Sequence, residues 1–178
     1  MNGFTKAIML LSLLVVVIGG GFSFYLTYQS SDSAAVAYAN RQGIAIEGFD
    51  TVAYHTIGQP MKGKENFQVT WAGTTWYFTS LENRQAFSQD PEKFAPAYGG
   101  HDPYGMATGG LSQPATPDLW EISDGKLYLF YSGQTRRLWQ QDKAENLKKA
   151  NVQWNRIKQQ IRYKAEMAAK DKTPAPLP

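Results

Sequence analysis

The chain has 178 residues, 43% of them hydrophobic, which is enough for one domain with a substantial core plus extensions. It contains no cysteine, and this excludes a disulfide framework, a thiolate metal site and thiol catalysis. The formal net charge of +3 is uneven, because residues 134–178 hold 11 Lys and Arg against 4 Asp and Glu, whereas residues 29–133 hold 6 against 11.

The first recognisable element is an apolar run at residues 7–28 that carries no charge. Its length matches the roughly 20 residues that a helix needs to cross a bilayer core, so the sequence predicts a transmembrane anchor. Lys6 precedes the run and Asp32 is the first charge after it. This bias predicts a single-pass protein of the inner membrane, with residues 1–6 in the cytoplasm and the domain in the periplasm.

Two further features concern this segment. Gly19, Gly20 and Gly21 predict a place where another membrane helix approaches closely. Ala37-Tyr38-Ala39 has small residues at the spacing that signal peptidase reads, so a cleaved signal peptide is the alternative to an anchor. Residues 29–42 are predicted to be a tether.

The folded domain is predicted at residues 43–133. Residues 43–47 alternate as a short strand does, and residues 48–50 form a turn into residues 51–55. Two aromatic and β-branched runs, 67–71 and 75–78, predict a hairpin.

Helix signals follow the first hairpin. Ser80 is a predicted N-cap for a helix that begins at Leu81, with Asn83 where a capping box has Glu or Gln. Asp90 and Pro91 end this helix and start another turn. Residues 94–110 then read FAPAYGGHDPYGMATGG, a composition too irregular for a helix interior or a central strand, and such enforced loops often carry binding groups.

The second half begins with a hairpin, because residues 119–122 and 126–130 flank Ser123-Asp124-Gly125. Residues 134–170 are predicted to form one basic helix, and residues 171–178 a disordered tail. One stripe of this helix is apolar, and it either packs along the domain or contacts a membrane or partner protein. The stripe contains Leu147, Ala150, Trp154, Ile157 and Ile161.

These motifs together resemble the YHS domain family, over roughly residues 43–155. The resemblance is to bacterial members in which the domain stands alone behind a signal or anchor. It implies a small α+β domain of antiparallel hairpins and short helices, and members fused to metal-transport proteins imply metal handling. The residues that carry it are 48–54, 75–83, Phe87, 90–96, 98–100 and 124–129.

One position departs from the family pattern. Relatives commonly carry a cysteine soon after Tyr-Gly-Gly, where this chain has His101 and Asp102. Nitrogen and oxygen ligands are then the alternative, and these residues are candidate ligands for copper or zinc if the fold brings them together. Further candidate ligands are Met106, Asp50 and His55.

The sequence shows no serine-nucleophile turn, zinc-protease motif or phosphate loop. We therefore expect a protein without catalytic activity or a resident cofactor, whose partners are the lipid bilayer and an integral membrane complex. Metal binding or delivery through His101 and Asp102 is the alternative, and an acid-base enzyme ranks third. Nucleic acid is not expected as a partner, because the basic residues lie in the part of the chain predicted to be outside the cytoplasm.

Overall fold

The computed structural model describes residues 37–109 and 114–171. As the sequence predicts, this part of the chain is α+β, with two small antiparallel hairpins and several helices. The elements, in chain order, are a 3-10 helix (Ile46–Gly48), α1 (Thr51–Thr56), β1 (Lys64–Trp71), β2 (Thr74–Phe78), α2 (Leu81–Gln89), α3 (Pro91–Phe94), a second 3-10 helix (Ala97–Gly100), α4 (Pro103–Thr108), β3 (Thr116–Ser123), β4 (Lys126–Phe130), α5 (Gly133–Gln141) and α6 (Lys143–Asp171).

Both predicted hairpins are confirmed. β1 pairs with β2, and β3 with β4, each through a two-residue turn and each with one irregularity in the register. The turn dipeptides are Ala72-Gly73 and Asp124-Gly125, and all four residues have positive φ. Such turns match the right-handed twist of the flanking strands, and they favour Gly, Asn and Asp.

Ala72 is the least suitable of these four residues. Its φ is 50°, and the left-handed conformation costs alanine more free energy than it costs Gly, Asn or Asp. We expect Ala72→Asn to raise the free energy of unfolding by roughly 0.5–1 kcal/mol. Asp124 occupies the same position of the second turn with φ 51°, so Asp124→Ala should lower stability by a similar amount. Denaturant unfolding of both variants checks this pair, and a shift of the same sign in both would contradict it.

The predicted helix starts after the hairpins are also confirmed. Ser80 accepts a hydrogen bond from the amide of Asn83 and caps α2. Asp90 ends α2 and caps α3 through the amide of Lys93. The second hairpin leads into an equivalent cap, Ser132, which starts α5.

The predicted strand at residues 43–47 is wrong. Its residues form only isolated bridges, Ile44 with Thr75 and Ala45 with Ala39. Ile46 and Glu47 then adopt positive φ of 47° and 53° within the 3-10 helix, and this conformation cannot continue a strand.

The glycine-rich stretch at residues 94–110 is more regular than its composition predicts. It contains the second 3-10 helix and α4, which is a true helix despite Gly105 in its interior. Asp102 is the N-cap of α4 and Pro103 occupies its first turn. These two residues are favoured at a helix start, and the cap outweighs the poor helix propensity that follows.

The predicted helix at residues 134–170 is two helices, α5 and α6. The chain leaves the helical conformation at Asp142, with φ −143° and ψ 63°. The side-chain amide of Asn146 donates to the carbonyls of Leu138 and Trp139, both at 3.1 Å. It thereby satisfies orphan acceptors at the end of α5, which makes the break tolerable.

Part of the predicted tether belongs to the domain. The amide of Tyr38 donates to the Gly99 carbonyl at 2.7 Å, and Ala37 packs against the core. The predicted anchor at 7–28 lies outside the described residues. So does the predicted tail at 171–178, apart from Asp171, which is the last residue of α6. Among residues 37–109 and 114–171, no helix is both long and apolar enough to cross a bilayer.

An internal repeat, which the motif analysis did not predict, organises the described domain. Each element from the first 3-10 helix to α2 recurs 52 residues later, as β1 starting at 64 recurs in β3 starting at 116. The strand registers also coincide, with Lys64 opposite Phe78 and Thr116 opposite Phe130. We call residues 45–94 module 1 and residues 97–146 module 2.

Each module has its own aromatic core. Trp76, Phe78 and Phe87 lie in the first core, and their repeat equivalents Tyr128, Phe130 and Trp139 lie in the second. The two faces of β4 connect the modules, because Leu127 and Leu129 lie in the first core and Tyr128 and Phe130 in the second.

The helices α1 and α4 are repeat equivalents that are covered differently. In module 1, Tyr54 of α1 meets the β3–β4 hairpin, with its ring 5.4 Å from that of Trp120 and its hydroxyl donating to the Pro117 carbonyl. Met106, its equivalent in α4, packs in the core that holds Ala150 and Ile157 of α6. α6 therefore covers the position that the hairpin of a further module would occupy, as a terminal cap does in repeat proteins.

Candidate functional site

Asp50 lies at the centre of a buried hydrogen-bond network in module 1. Its Oδ1 accepts the amides of Val52 and Ala53, at 2.9 and 3.2 Å, and so caps α1. Its Oδ2 accepts the amide and hydroxyl of Thr79 and the side-chain amide of Asn83, at 2.7 to 2.8 Å. One fully buried carboxylate thus joins the start of α1 to the end of β2 and the first turn of α2.

Asp102 does the same work in module 2. Its Oδ1 accepts the amide of Gly105 at 2.7 Å and caps α4. Its Oδ2 accepts the amide of Tyr131 at 2.7 Å and the hydroxyl of Thr135 at 2.6 Å. The partners stand 29 and 33 residues after the carboxylate in both modules.

The two networks give these carboxylates a structural task. A buried carboxylate is stable only when donors replace its hydration, and both oxygens of each residue have donors here. Asn83, considered from the sequence as part of a capping box, turns out to donate to Asp50. Asp50 and Asp102 therefore each connect the start of one helix, α1 or α4, to the segment that follows the hairpin of the same module.

The other candidate metal ligands are dispersed. Met106 is buried in the second core. The ring of His55 stands edge-on to Phe94, at 5.4 Å between centroids. His101 follows the second 3-10 helix, and its ring lies 6.2 Å from that of Tyr38. Within residues 37–109 and 114–171, no group of three or more His, Asp and Glu side chains is arranged to hold a metal ion.

The half-buried position of His55 affects its protonation. The pKa of His55 lies below its usual value of 6.5, mainly because burial removes solvation from the charged ring. The positive charges of Lys93 and Lys126 lower this pKa further. Phe94 covers the ring, and no described residue forms a hydrogen bond with Nε2. The neutral imidazole is therefore the form that fits the fold.

This shift predicts a pH dependence of stability. The unfolded chain binds the His55 proton below pH 6.5 while the folded chain resists it, so folding should weaken as the pH falls from 6.5 toward the lowered pKa. We expect the stability difference between the wild type and His55→Gln to shrink over that window and to be constant above it. Denaturant unfolding across a pH series measures this, and a difference independent of pH would contradict it.

Buried tyrosines do not form an acid-base pair either. Burial raises the pKa of Tyr54 and of Tyr98 well above the usual range. Both hydroxyls already donate, that of Tyr54 to the Pro117 carbonyl and that of Tyr98 to Asn151 Oδ1 at 3.0 Å. Their high pKa and fixed partners suit core hydrogen bonding.

The apolar stripe of α6 packs on the domain. Ile157 is buried, and Trp154 and Ile161 are partly buried against the second core. Of the two alternatives raised by the sequence, packing accounts for this stripe. Gly19, Gly20 and Gly21, the other predicted contact residues, lie outside the described part of the chain.

The opposite face of α6 is solvent-exposed and basic. Lys148, Val152, Arg156 and Tyr163 are spaced four, four and seven residues apart, and such spacing places them on one face of the helix. Val152 and Tyr163 are 59% and 64% exposed. Large apolar side chains with this exposure among cations are a surface that a partner or a membrane can cover.

A groove of about 400 Å³ lies beside this face, between α4 and α6. Met106, Ala107 and Gly109 contribute the α4 side, and Lys148, Lys149 and Arg156 the α6 side. Sequence reasoning noted that the C-terminal helix is basic but did not identify the groove, because its α4 wall comes from the stretch predicted to be irregular.

Comparison with known proteins adds one finding. The family model for the YHS domain matches residues 52–98, which run from α1 through the second 3-10 helix. No curated protein and no solved structure matches the chain.

Proposed function

This chain is a YHS-domain protein, and we propose that it is a non-catalytic accessory protein, anchored in the inner membrane, whose periplasmic domain docks on a larger membrane complex. The observation that carries the proposal is the use of Asp50 and Asp102 in structural networks. The residues best suited to acid-base or metal chemistry thus act as helix caps in both modules.

Two further features support a docking role. Residues 7–28 form an uncharged apolar run of the length that an anchor needs. The exposed face of α6 presents cations with Val152 and Tyr163, and aromatic and apolar residues of this kind are common at contact surfaces. Both features are consistent with a domain held near the bilayer that makes contacts there.

The test is purification of the tagged full chain from membranes in mild detergent. We expect it to comigrate with integral membrane subunits in a fixed ratio. A second version, with residues 7–28 replaced by an unrelated transmembrane segment, should still comigrate if the domain makes the contact. A chain that is extracted from membranes without detergent, or that migrates alone, would refute the proposal.

Orientation can be tested separately because the chain lacks cysteine. A single Glu65→Cys substitution places a thiol on exposed β1, and Asn2→Cys places one before the apolar run. In intact cells, an outer-membrane-permeant reagent that cannot cross the inner membrane should label the first and spare the second. The reverse pattern would put the domain in the cytoplasm.

Metal delivery through His101 and Asp102 remains the alternative from the sequence, and the same preparation tests it. Stoichiometric copper or zinc that is lost in His101→Ala would favour that alternative. No arrangement among the described residues favours it over docking.

A further inference from the structure

We propose that the groove between α4 and α6, together with the exposed face of α6, binds the phosphate headgroups of anionic phospholipids. This inference rests on the proposed membrane anchor and deepens it, because it assigns a second, peripheral membrane contact to the domain. The groove belongs to module 2 and its cap, and the site uses neither of the buried carboxylates.

Charge is the first argument. None of the residues that line the groove is acidic, and three of them are cations. Lys149 has a partner, Glu145, at 3.7 Å. Lys148 and Arg156 form no salt bridge within the part of the chain that the structure describes. Lys148 and Arg156 lie about two helical turns apart, with Lys149 beside Lys148, and cations spread along the groove in this way suit headgroups whose phosphates carry several acceptor oxygens.

Shape and polarity give the second argument. A volume of about 400 Å³ is within the range of small-molecule sites and accommodates a phosphate ester. The inner wall is apolar, with Met106 fully buried, and a side chain added at Gly109 would meet no atom. At the end of α4 the Thr108 hydroxyl donates to the carbonyls of Tyr104 and Gly105, at 3.0 and 3.3 Å.

The exposed apolar side chains beside the groove favour a lipid over a free phosphate. Val152 stands at the rim of the groove, and Tyr163 lies about three turns farther along the same face. A dissolved phosphate gains nothing from contact with the exposed apolar side chains beside the groove. A bilayer interface can bind both kinds of side chain, because tyrosine and aliphatic groups insert at headgroup depth while lysine and arginine contact the phosphates.

The experiment uses the full chain reconstituted in vesicles, with one nitroxide on Tyr163→Cys. This position is on the docking face but does not line the groove, and the label is unique because the chain has no other cysteine. Collisions with oxygen and with a water-soluble nickel complex report its depth. In vesicles that contain phosphatidylglycerol the label should enter the interface, and in pure phosphatidylcholine it should remain in water.

Charge variants make the test specific. The double variant Lys148→Gln with Arg156→Gln should lower the ratio of docked to undocked label about 25-fold. Each cation near an anionic surface contributes roughly a fivefold factor to this ratio, and the variant removes two cations. The matched control, Arg41→Gln with Lys64→Gln, removes the same charge from two exposed positions, one just before module 1 and one within it, and should leave the ratio unchanged.

Three outcomes would overturn the proposal. The label stays in water with phosphatidylglycerol present, or the two double variants behave alike, or inorganic phosphate displaces the label more than chloride of equal ionic strength, which identifies a soluble ligand. Each presupposes that the chain inserts in the vesicles. Failure to resist carbonate extraction would instead refute the anchor itself.

Discussion

Replacing Asp50 with alanine is expected to lower the free energy of unfolding by roughly 3–5 kcal/mol, because several buried donors lose their acceptor at once. Two of these donors start α1, and the others belong to Thr79 and Asn83. Each buried donor left without a partner costs about 1–3 kcal/mol, partly relieved where water can enter. Denaturant unfolding of the full chain in detergent measures the loss.

Asp90→Ala is the matched control for this prediction. Asp90 also caps a helix, but it is exposed, and from the described residues its side chain accepts only the amide of Lys93, at 3.1 Å. Loss of such a cap costs about 1 kcal/mol. Asp102→Ala should fall between the two, since among the described residues Asp102 accepts three hydrogen bonds and Asp50 accepts five. Equal losses for Asp50 and Asp90 would contradict the central role of the buried carboxylate.

Replacing Ile157 with aspartate is expected to cost roughly 3–5 kcal/mol, because it places an unpaired charge in the second core. Ile157 is 8% exposed and shares this core with Trp139 and Ala150. We expect α6 and module 2 to unfold more readily than in the wild type. Faster hydrogen exchange of their backbone amides measures this.

Val152→Asp provides the control on the same helix. Val152 is 59% exposed, so the same substitution there should change stability by no more than about 0.5 kcal/mol. If Ile157→Asp were as stable as the wild type but lost its membrane partners, the stripe would be a contact surface. In that case the packing described for α6 would be wrong.

Local chemistry made several elements predictable. Asp124 followed by glycine predicts the second hairpin, because only a few residue types accept positive φ at those positions. Ser80 and Asp90 predict helix starts for the same local reason, a side-chain oxygen within reach of orphan amides. These features depend on neighbours within four residues, and the structure confirms them at the predicted positions.

The repeat was also present in the sequence, though faintly. Asp50 and Asp102, Phe78 and Phe130, and Ser80 and Ser132 are identical pairs at the same 52-residue spacing. A comparison of the chain with itself would have found this signal. The short motifs do not show it, because the identical pairs are separated by positions at which the modules differ, such as Trp76 and Tyr128.

The sequence alone determined the hairpins, the helix starts at Ser80 and Asp90, the absence of thiol chemistry and the amphipathic character of α6. Only the tertiary structure decided the roles of the carboxylates, since whether Asp102 binds a metal or caps a helix depends on donors 29 and 33 residues away. The same holds for the apolar stripe of α6 and for the groove beside it. The reason is that local propensities act over a few residues, whereas burial and hydrogen-bond partners are set by which distant segments meet.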